Sequence, residues 1–235
     1  MAQIKLGATA NVTVSDEIGC SIKRGATGRR IDTLSKEQWK SEVLVEAWLS
    51  DDADNREHPG RALVSEGLEG MKLASPMVSY RALSFASDVA PASAIEFGPN
   101  PKRRSHRYNR VGEPPVYLST TVAGLQAEML CYHDPEKVCF FATFSAISSE
   151  ISIADLTDAS LPAVVHQAFD YAERPESRWA GHRLADLIRS LGYQGMLVPG
   201  VRGSPANRYA NLVLFNYEGW AAWVDRRSPP RLLSA

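Results

Sequence analysis

Basic side chains are concentrated in one short segment, residues 102–110, with the sequence KRRSHRYNR. Five lysines and arginines fall within these nine positions of a chain whose formal net charge is only -1. Arginine presents a planar fork of donors that matches phosphate oxygens, and an adjacent aromatic ring can stack on a base or on nicotinamide. The segment predicts an anionic ligand, either a dinucleotide or a short piece of nucleic acid. A solvated basic loop is the alternative interpretation.

Three other side chains are candidates for chemistry. Glu128 lies on a predicted helix that follows the short strand containing Tyr117. A carboxylate facing a cleft can stabilise a cationic transition state or act as a general base, although most helical glutamates simply face solvent. Tyr80 and Arg81 lie on a predicted strand, where neighbouring side chains point to opposite faces. The alternative interpretation is structural: Tyr80 would belong to the core, and Arg81 would pair with an acidic side chain.

Several common site types are missing from the sequence. The five histidines are scattered without HxxxH or HExxH spacing, which argues against a zinc hydrolase. The turn 200–204 is rich in glycine and can cradle a phosphate through backbone N–H groups, but it lacks the lysine of a P-loop. No GxGxxG segment joins a strand to a helix, and no GxSxG elbow occurs. We therefore predict no metal, and neither a Walker ATPase nor a Rossmann dehydrogenase.

The composition is that of a globular protein. The chain has 235 residues, of which 44% are hydrophobic and 23% charged. The near-zero net charge argues against a generally polybasic nucleic-acid binder. No apolar run approaches the roughly 20 residues of a membrane helix, and the N-terminus lacks the apolar region of a secretory signal. Three cysteines without CxxC spacing fit a reducing compartment, so we predict a cytoplasmic protein.

The candidate side chains must be positioned by a mixed set of elements. The predicted strands are 77–83, 116–119, 138–147, 196–198, 212–215 and 220–224, and the predicted helices are 36–49, 120–132, 161–171 and 178–191. Gly192 closes the last helix. Alternating short strands and helices predict an α+β fold. Residues 1–75 are interpreted as a small N-terminal α/β extension of unknown role, and residues 76–235 as the main domain.

Five motifs in this order resemble the RES domain, a family named for its Arg, Glu and Ser. The resemblance covers roughly residues 77–224. Its motifs are Tyr80-Arg81; Arg107-Tyr108-Asn109 with Gly112; Pro115–Ser119; Glu128, eleven positions after Tyr117; and Val198-Pro199-Gly200 leading to Asn211–Phe215. His106 and Tyr108 stand where the family usually has Gly and Trp. Gly200 stands where the family has its serine, and Ser204 in the same turn is the expected substitute.

The resemblance implies a fold and a site. The fold is similar to that of mono-ADP-ribosyltransferases, a two-sheet β core flanked by helices with NAD as substrate in the cleft. Glu128 and Arg81 inherit catalytic roles at matching positions. The NAD-binding set is Tyr80, Arg81, Arg107, Asn109, Tyr117 and Ser204.

The resemblance also implies a function and a partner. Many members are toxins paired with an Xre-type antitoxin, and they consume NAD by phosphorolysis or hydrolysis. An NAD-degrading toxin is thus the leading interpretation. The alternatives are a mono-ADP-ribosyltransferase that modifies a protein, and a non-catalytic module that binds nucleic acid through residues 102–110. We expect no membrane partner, and nucleic acid only through an antitoxin; a homodimer is left open.

Overall fold

Short strands and α-helices alternate along the chain. The structure is a computed structural model that describes residues 3–6, 10–13, 36–50, 56–69, 71, 77–86, 88–99, 105–130, 136–147, 151–174, 177–202, 209–215, 218–223, 225 and 227–233. Its strands are β1 Gln3–Leu6, β2 Ala10–Thr13, β3 Met77–Phe85, β4 Val116–Ser119, β5 Val138–Ile147, β6 Ile153–Asp155, β7 Gly195–Pro199, β8 Ala210–Leu214 and β9 Arg231–Leu232. Its α-helices are α1 Lys36–Ser50, α2 Pro59–Leu68, α3 Val122–Leu130, α4 Ala163–Ala172 and α5 Arg178–Ser190. The predicted α+β class is confirmed.

Seven of the described strands form one sheet in the order β6-β7-β8-β4-β3-β5-β9, while β1 and β2 pair separately. Only β6 and β7 are parallel; the other pairs in the sheet are antiparallel. A single register pair, Tyr80 with Ser119, joins β3 to β4. The sheet therefore consists of two halves linked at one point, where two sheets were expected. This one ladder contact keeps the halves in the same hydrogen-bonded sheet.

The two halves share a hydrophobic core. Phe140 and Phe144 of β5 lie in one cluster with Leu118 of β4 and Leu212 of β8. Phe141 points to the other face of β5 and packs in a separate cluster. The strand is thus buried on both faces, as its nearly continuous apolar sequence predicts. The candidate site lies beside the β3–β4 junction.

A second core lies under the helices. Trp48 of α1 and Leu68 of α2 are in the same cluster as Ala168 of α4 and Ile188 of α5. Helices from both sides of the predicted 75/76 division thus share one core. The division itself stays a prediction. None of the helices among the described residues is long and apolar enough to cross a membrane.

The strand predicted at 220–224 is wrong. Residues Glu218–Trp223 form a 3-10 helix instead. The continuous apolar sequence of 220–224 resembles a buried strand, but the 3-10 helix places the Trp220 ring 6.5 Å from that of Phe144. Packing against the core therefore overrides the local pattern.

Candidate active site

One cavity of about 460 Å³ brings together four of the residues predicted from the sequence. Arg81 comes from β3, Tyr117 from β4, Glu128 from α3 and Arg107 from the loop that precedes β4. The cavity lies next to the β3–β4 junction. Elements far apart in the sequence thus place a carboxylate and two guanidinium groups around one space.

Arg81 is a buried cation at this cavity. Its side chain is on the opposite face of β3 from Tyr80, and the residue is only 4% exposed. Nη1 donates a hydrogen bond of 2.8 Å to the backbone carbonyl of Tyr117 across the strand junction. Burial lowers the pKa of Arg81 to about 10, because the charged form loses hydration. The group therefore keeps its charge at neutral pH.

Glu128 is held by donors from β8 and from the turn after β7. Its Oε1 accepts hydrogen bonds of 2.8 Å from the hydroxyl of Tyr209 and of 2.8 Å from Nδ2 of Asn211. Its Oε2 lies 3.2 Å from Nε of Arg202. The side chain retains 22% of its exposure. Two hydrogen bonds thus fix Oε1 of the carboxylate, while Oε2 faces the guanidinium group of Arg202.

Arg107 is fixed at the C-terminal end of α4. Its Nη1 donates to the carbonyls of Ala172 at 2.6 Å and of Arg174 at 3.3 Å. Its Nε lies 3.5 Å from Oε2 of Glu173, whose other oxygen accepts a hydrogen bond from the Tyr108 hydroxyl. A cation is favourable here, because the last carbonyls of a helix carry partial negative charge. Arg107 therefore reaches the cavity from a rigid support.

Tyr117, which lines the cavity, forms a hydrogen-bonded pair with Asn109. The Tyr117 hydroxyl donates to Oδ1 of Asn109 at 3.2 Å and accepts from the Tyr108 N–H at 3.1 Å. Burial raises the pKa of Tyr117 above its ordinary value, so the phenol is neutral. Asn109 is fully buried, and its amide donates to the carbonyls of Arg110 and Glu113. The Asn109 side chain therefore stabilises this turn.

Two other predicted NAD-binding residues are not placed at the cavity. Tyr80 is absent from the described lining and packs edge-on against Phe141, with ring centroids 6.1 Å apart. Asn109 is likewise absent from the described lining. Ser204 lies outside the described residues. The roles assigned to all the site residues stay predictions.

Side chains of both charges line the cavity. Among the described lining residues, three arginines (Arg81, Arg107 and Arg202) oppose two glutamates (Glu128 and Glu173), which leaves one net positive charge. The arginines suit an anionic group of a ligand, and Glu128 suits a centre that becomes positive. Fixed charges in a partly dry space act strongly because they need little reorganisation.

Comparison with known families identifies the family of the chain. A family model described as the RES domain matches residues 78–233, about two thirds of the chain. The chain belongs to the RES-domain family. A solved structure similar to this RES domain is that of the M. tuberculosis MbcT-MbcA toxin-antitoxin complex, with 16% identity, a TM-score of 0.48, and coverage of 72% of this chain and 88% of that chain. No curated protein matches the sequence significantly.

Sequence reasoning missed several polar groups of this RES domain. Asn211 entered the predictions only as part of a strand motif, and Tyr209 was not predicted as a site residue. Because they are two positions apart at the start of β8, they point to the same face, which is the only local signal available. Arg202 lies in the turn whose backbone was proposed to bind phosphate, yet its side chain pairs with Glu128. Glu173 had no signal beyond its place at the end of a helix.

The environment of Glu173 predicts a pH effect on stability. Burial raises the pKa of this carboxyl in the folded protein, with smaller opposing effects from Tyr108 and Arg107. The folded state therefore binds the proton more tightly than the unfolded chain does, and protonation stabilises the fold. As the pH falls from 7 through the folded pKa towards the ordinary value of 4.5, wild type should gain free energy of unfolding relative to Glu173→Gln. Urea unfolding of both proteins across this range measures the difference, and a flat or falling difference would contradict it.

Proposed function

We propose that this RES domain is an NAD-consuming toxin that cleaves the bond between nicotinamide and ribose, by phosphorolysis or hydrolysis, and that an antitoxin protein of the Xre type restrains it. The observation that carries the proposal is the placement of Glu128, Arg81 and Arg107 around one cavity. Family membership supports the choice of NAD and an ADP-ribosyltransferase-like arrangement of the sheet halves. The cytoplasm is the corresponding compartment.

Glu128 would act on the sugar. The bond from C1′ to the nicotinamide nitrogen breaks with both electrons going to nitrogen, so nicotinamide leaves as a neutral molecule. Positive charge then develops on the ribose, as in glycoside cleavage. The Glu128 carboxylate stabilises this charge. An oxygen of phosphate or water forms the new bond to C1′, and a proton from water is released to solvent.

The arginines would bind the diphosphate. Arg81 of β3 and Arg107 of the loop before β4 both line the cavity, and two guanidinium groups suit the two phosphoryl groups of NAD. Tyr117 accepts the Arg81 hydrogen bond through its backbone carbonyl and lines the same cavity, where its ring would pack on nicotinamide or its ribose. Arg202 is paired with Glu128, so a substrate sugar that approaches this carboxylate must share or replace the Arg202 contact.

The nucleic-acid interpretation is weakened by what the basic segment does. Arg107 is engaged with Glu173 and the end of α4, and Arg110 forms an ion pair with Asp186 of α5. Arg110 is therefore used for a contact within the protein, whereas Arg107 also lines the cavity. Lys102, Arg103 and Arg104 lie outside the described residues. Transfer of ADP-ribose to a protein would use the same cavity, and only the acceptor would differ.

Product analysis tests the proposal. Purified protein is incubated with NAD with and without inorganic phosphate, and products are identified by mass spectrometry. We expect nicotinamide release from the wild type and none above background from Glu128→Gln. A phosphorylated ADP-ribose that appears only with phosphate identifies phosphorolysis, and free ADP-ribose in both samples identifies hydrolysis. Nicotinamide release that needs an added protein acceptor would favour the transferase. No release under any of these conditions would overturn the proposal.

A further inference from the structure

The ring of Tyr209 lies in a slot between two glycines. A Cβ atom built on Gly200 would lie 2.2 Å from Cε2 of this ring, and one built on Gly124 would lie 2.4 Å from its Cδ2 and Cγ atoms. Both distances are far shorter than a non-bonded contact between carbon atoms. With the ring in place, neither position has room for a side chain. The observed position of the Tyr209 ring therefore requires glycine at both 124 and 200.

The topology explains why the ring covers Gly200. In the antiparallel pair β7–β8, Pro199 is opposite Ala210, and the N–H of Gly200 donates to the carbonyl of Tyr209 at 2.8 Å. Residues opposite each other on neighbouring strands point to the same face. The family pattern has a serine at the position of Gly200. A serine there would meet the Tyr209 ring.

The second wall of the slot belongs to the helix that carries the carboxylate. Gly124 is in the first turn of α3, where its N–H donates to Oγ1 of Thr121 at 2.9 Å. Glu128 lies four residues further along the helix, on the same face as Gly124. A ring that lies against Gly124 therefore directs its hydroxyl at Glu128.

Hydrogen bonding fixes the direction of the phenolic proton. The Tyr209 hydroxyl accepts from the N–H of Arg202 at 3.1 Å and lies 2.8 Å from Oε1 of Glu128. Since an N–H can only donate, the phenolic hydrogen is directed at the carboxylate. Burial and the Glu128 carboxylate both raise the pKa of Tyr209, which keeps this hydrogen in place at neutral pH.

We infer that Tyr209 is a positioning residue that locks Glu128 for the reaction through this hydrogen bond, and that Gly124 and Gly200 are the small residues its ring requires. The inference rests on the proposed function. Tyr209 orients Oε1 together with Asn211, which leaves Oε2 to face the cavity cation and the substrate. The hydroxyl that contacts the candidate catalytic carboxylate is thus that of Tyr209.

The kinetic test uses Tyr209→Phe, which keeps the ring in its slot and removes only the hydroxyl. We expect kcat for NAD cleavage to fall about 10- to 100-fold, the range that corresponds to losing one hydrogen bond to a charged group. KM should change by less than about twofold, because the ground-state contacts of NAD are untouched. Tyr193→Phe is the matched control, since that phenol makes no hydrogen bond within the described residues. An active wild type with an equally active Tyr209→Phe would overturn the inference, whereas an inactive wild type would overturn the proposed function.

A spectroscopic test is independent of turnover. The full chain is labelled with 3-fluorotyrosine, and the fluorine NMR signal of Tyr209 is assigned by its loss in Tyr209→Phe. In Glu128→Gln this signal should shift and titrate at lower pH, because one of the groups that raise the pKa of Tyr209 has lost its charge. The Tyr193 signal should not move. An unchanged Tyr209 signal would mean that the hydroxyl does not contact Glu128, and it would overturn the inference whatever the protein does to NAD.

Discussion

Replacing Glu128 by glutamine should lower kcat for NAD cleavage by at least about 10²–10³-fold, the typical cost of losing one preorganised electrostatic group. Glutamine has the same shape and can still accept from Tyr209 and Asn211 through its carbonyl oxygen. It lacks the negative charge that would stabilise the sugar cation, and its NH₂ group would face Arg202. The loss should therefore appear in kcat, with folding preserved. Nicotinamide release under saturating NAD measures it.

The control for this variant is another helical glutamate. Glu66 is exposed on α2 and is absent from the described cavity lining. Glu66→Gln should cleave NAD at the wild-type rate, and all three proteins should unfold at similar temperatures. If Glu128→Gln turned over NAD as fast as Glu66→Gln, the carboxylate would have no part in the reaction. A variant that unfolds early would instead indicate a structural role for Glu128.

Elements with strong local signals could be predicted from the sequence. The predicted strand 138–147 coincides with β5, because its apolar run is long enough for burial on both faces. The helix predicted over 178–191 is α5, and Gly192, predicted to close it, has a φ of 89°. That left-handed conformation is the reason a glycine ends the helix. The 3-10 helix at Glu218–Trp223 was missed, because its packing against Phe144 is a long-range contact that the local sequence does not report.

The candidate site could be predicted only where motifs report on it. Arg81, Arg107, Tyr117 and Glu128 were chosen by their order and spacing, and the structure brings them to one cavity. Tyr209 contacts Glu128 across 81 positions of sequence, which no local pattern encodes. A side chain that reaches the site only through long-range folding, as Tyr209 does, therefore could not be predicted from the sequence.

The loop that contains Arg107 shows how a segment without regular structure is held. Arg189 of α5 pairs with Glu113 at 3.2 Å and with Asp186 at 2.8 Å, and Asp186 also pairs with Arg110. Each pair is partly exposed, so each alone contributes little. Together they attach the C-terminal side of the 106–113 turn to α5, and Nε2 of His182 on the same helix lies 2.8 Å from the His106 carbonyl on the other side. This attachment lets a loop residue, Arg107, hold a constant position at the cavity.

Replacing Arg81 by methionine should separate activity from stability. Methionine has a similar unbranched shape and no charge, so the site loses its most buried cation while its volume is kept. We expect kcat/KM for NAD to fall by about 10²–10³-fold, because a fixed charge in a dry site is hard to replace. KM should rise, since Arg81 is proposed to bind the diphosphate in the ground state as well.

The same change should leave the melting temperature unchanged or raise it. Burying a guanidinium removes its hydration, which is also why the pKa of Arg81 falls to about 10. An apolar side chain in the same place avoids that cost, although the hydrogen bond to the Tyr117 carbonyl is lost. Arg227→Met, at an exposed turn outside the described lining, controls for charge removal in general. Scanning calorimetry and NAD kinetics on the three proteins decide the matter. A stable Arg81→Met protein with normal kcat/KM would show that this cation does not bind substrate, whereas a strongly destabilised one would show that the arginine is retained for folding.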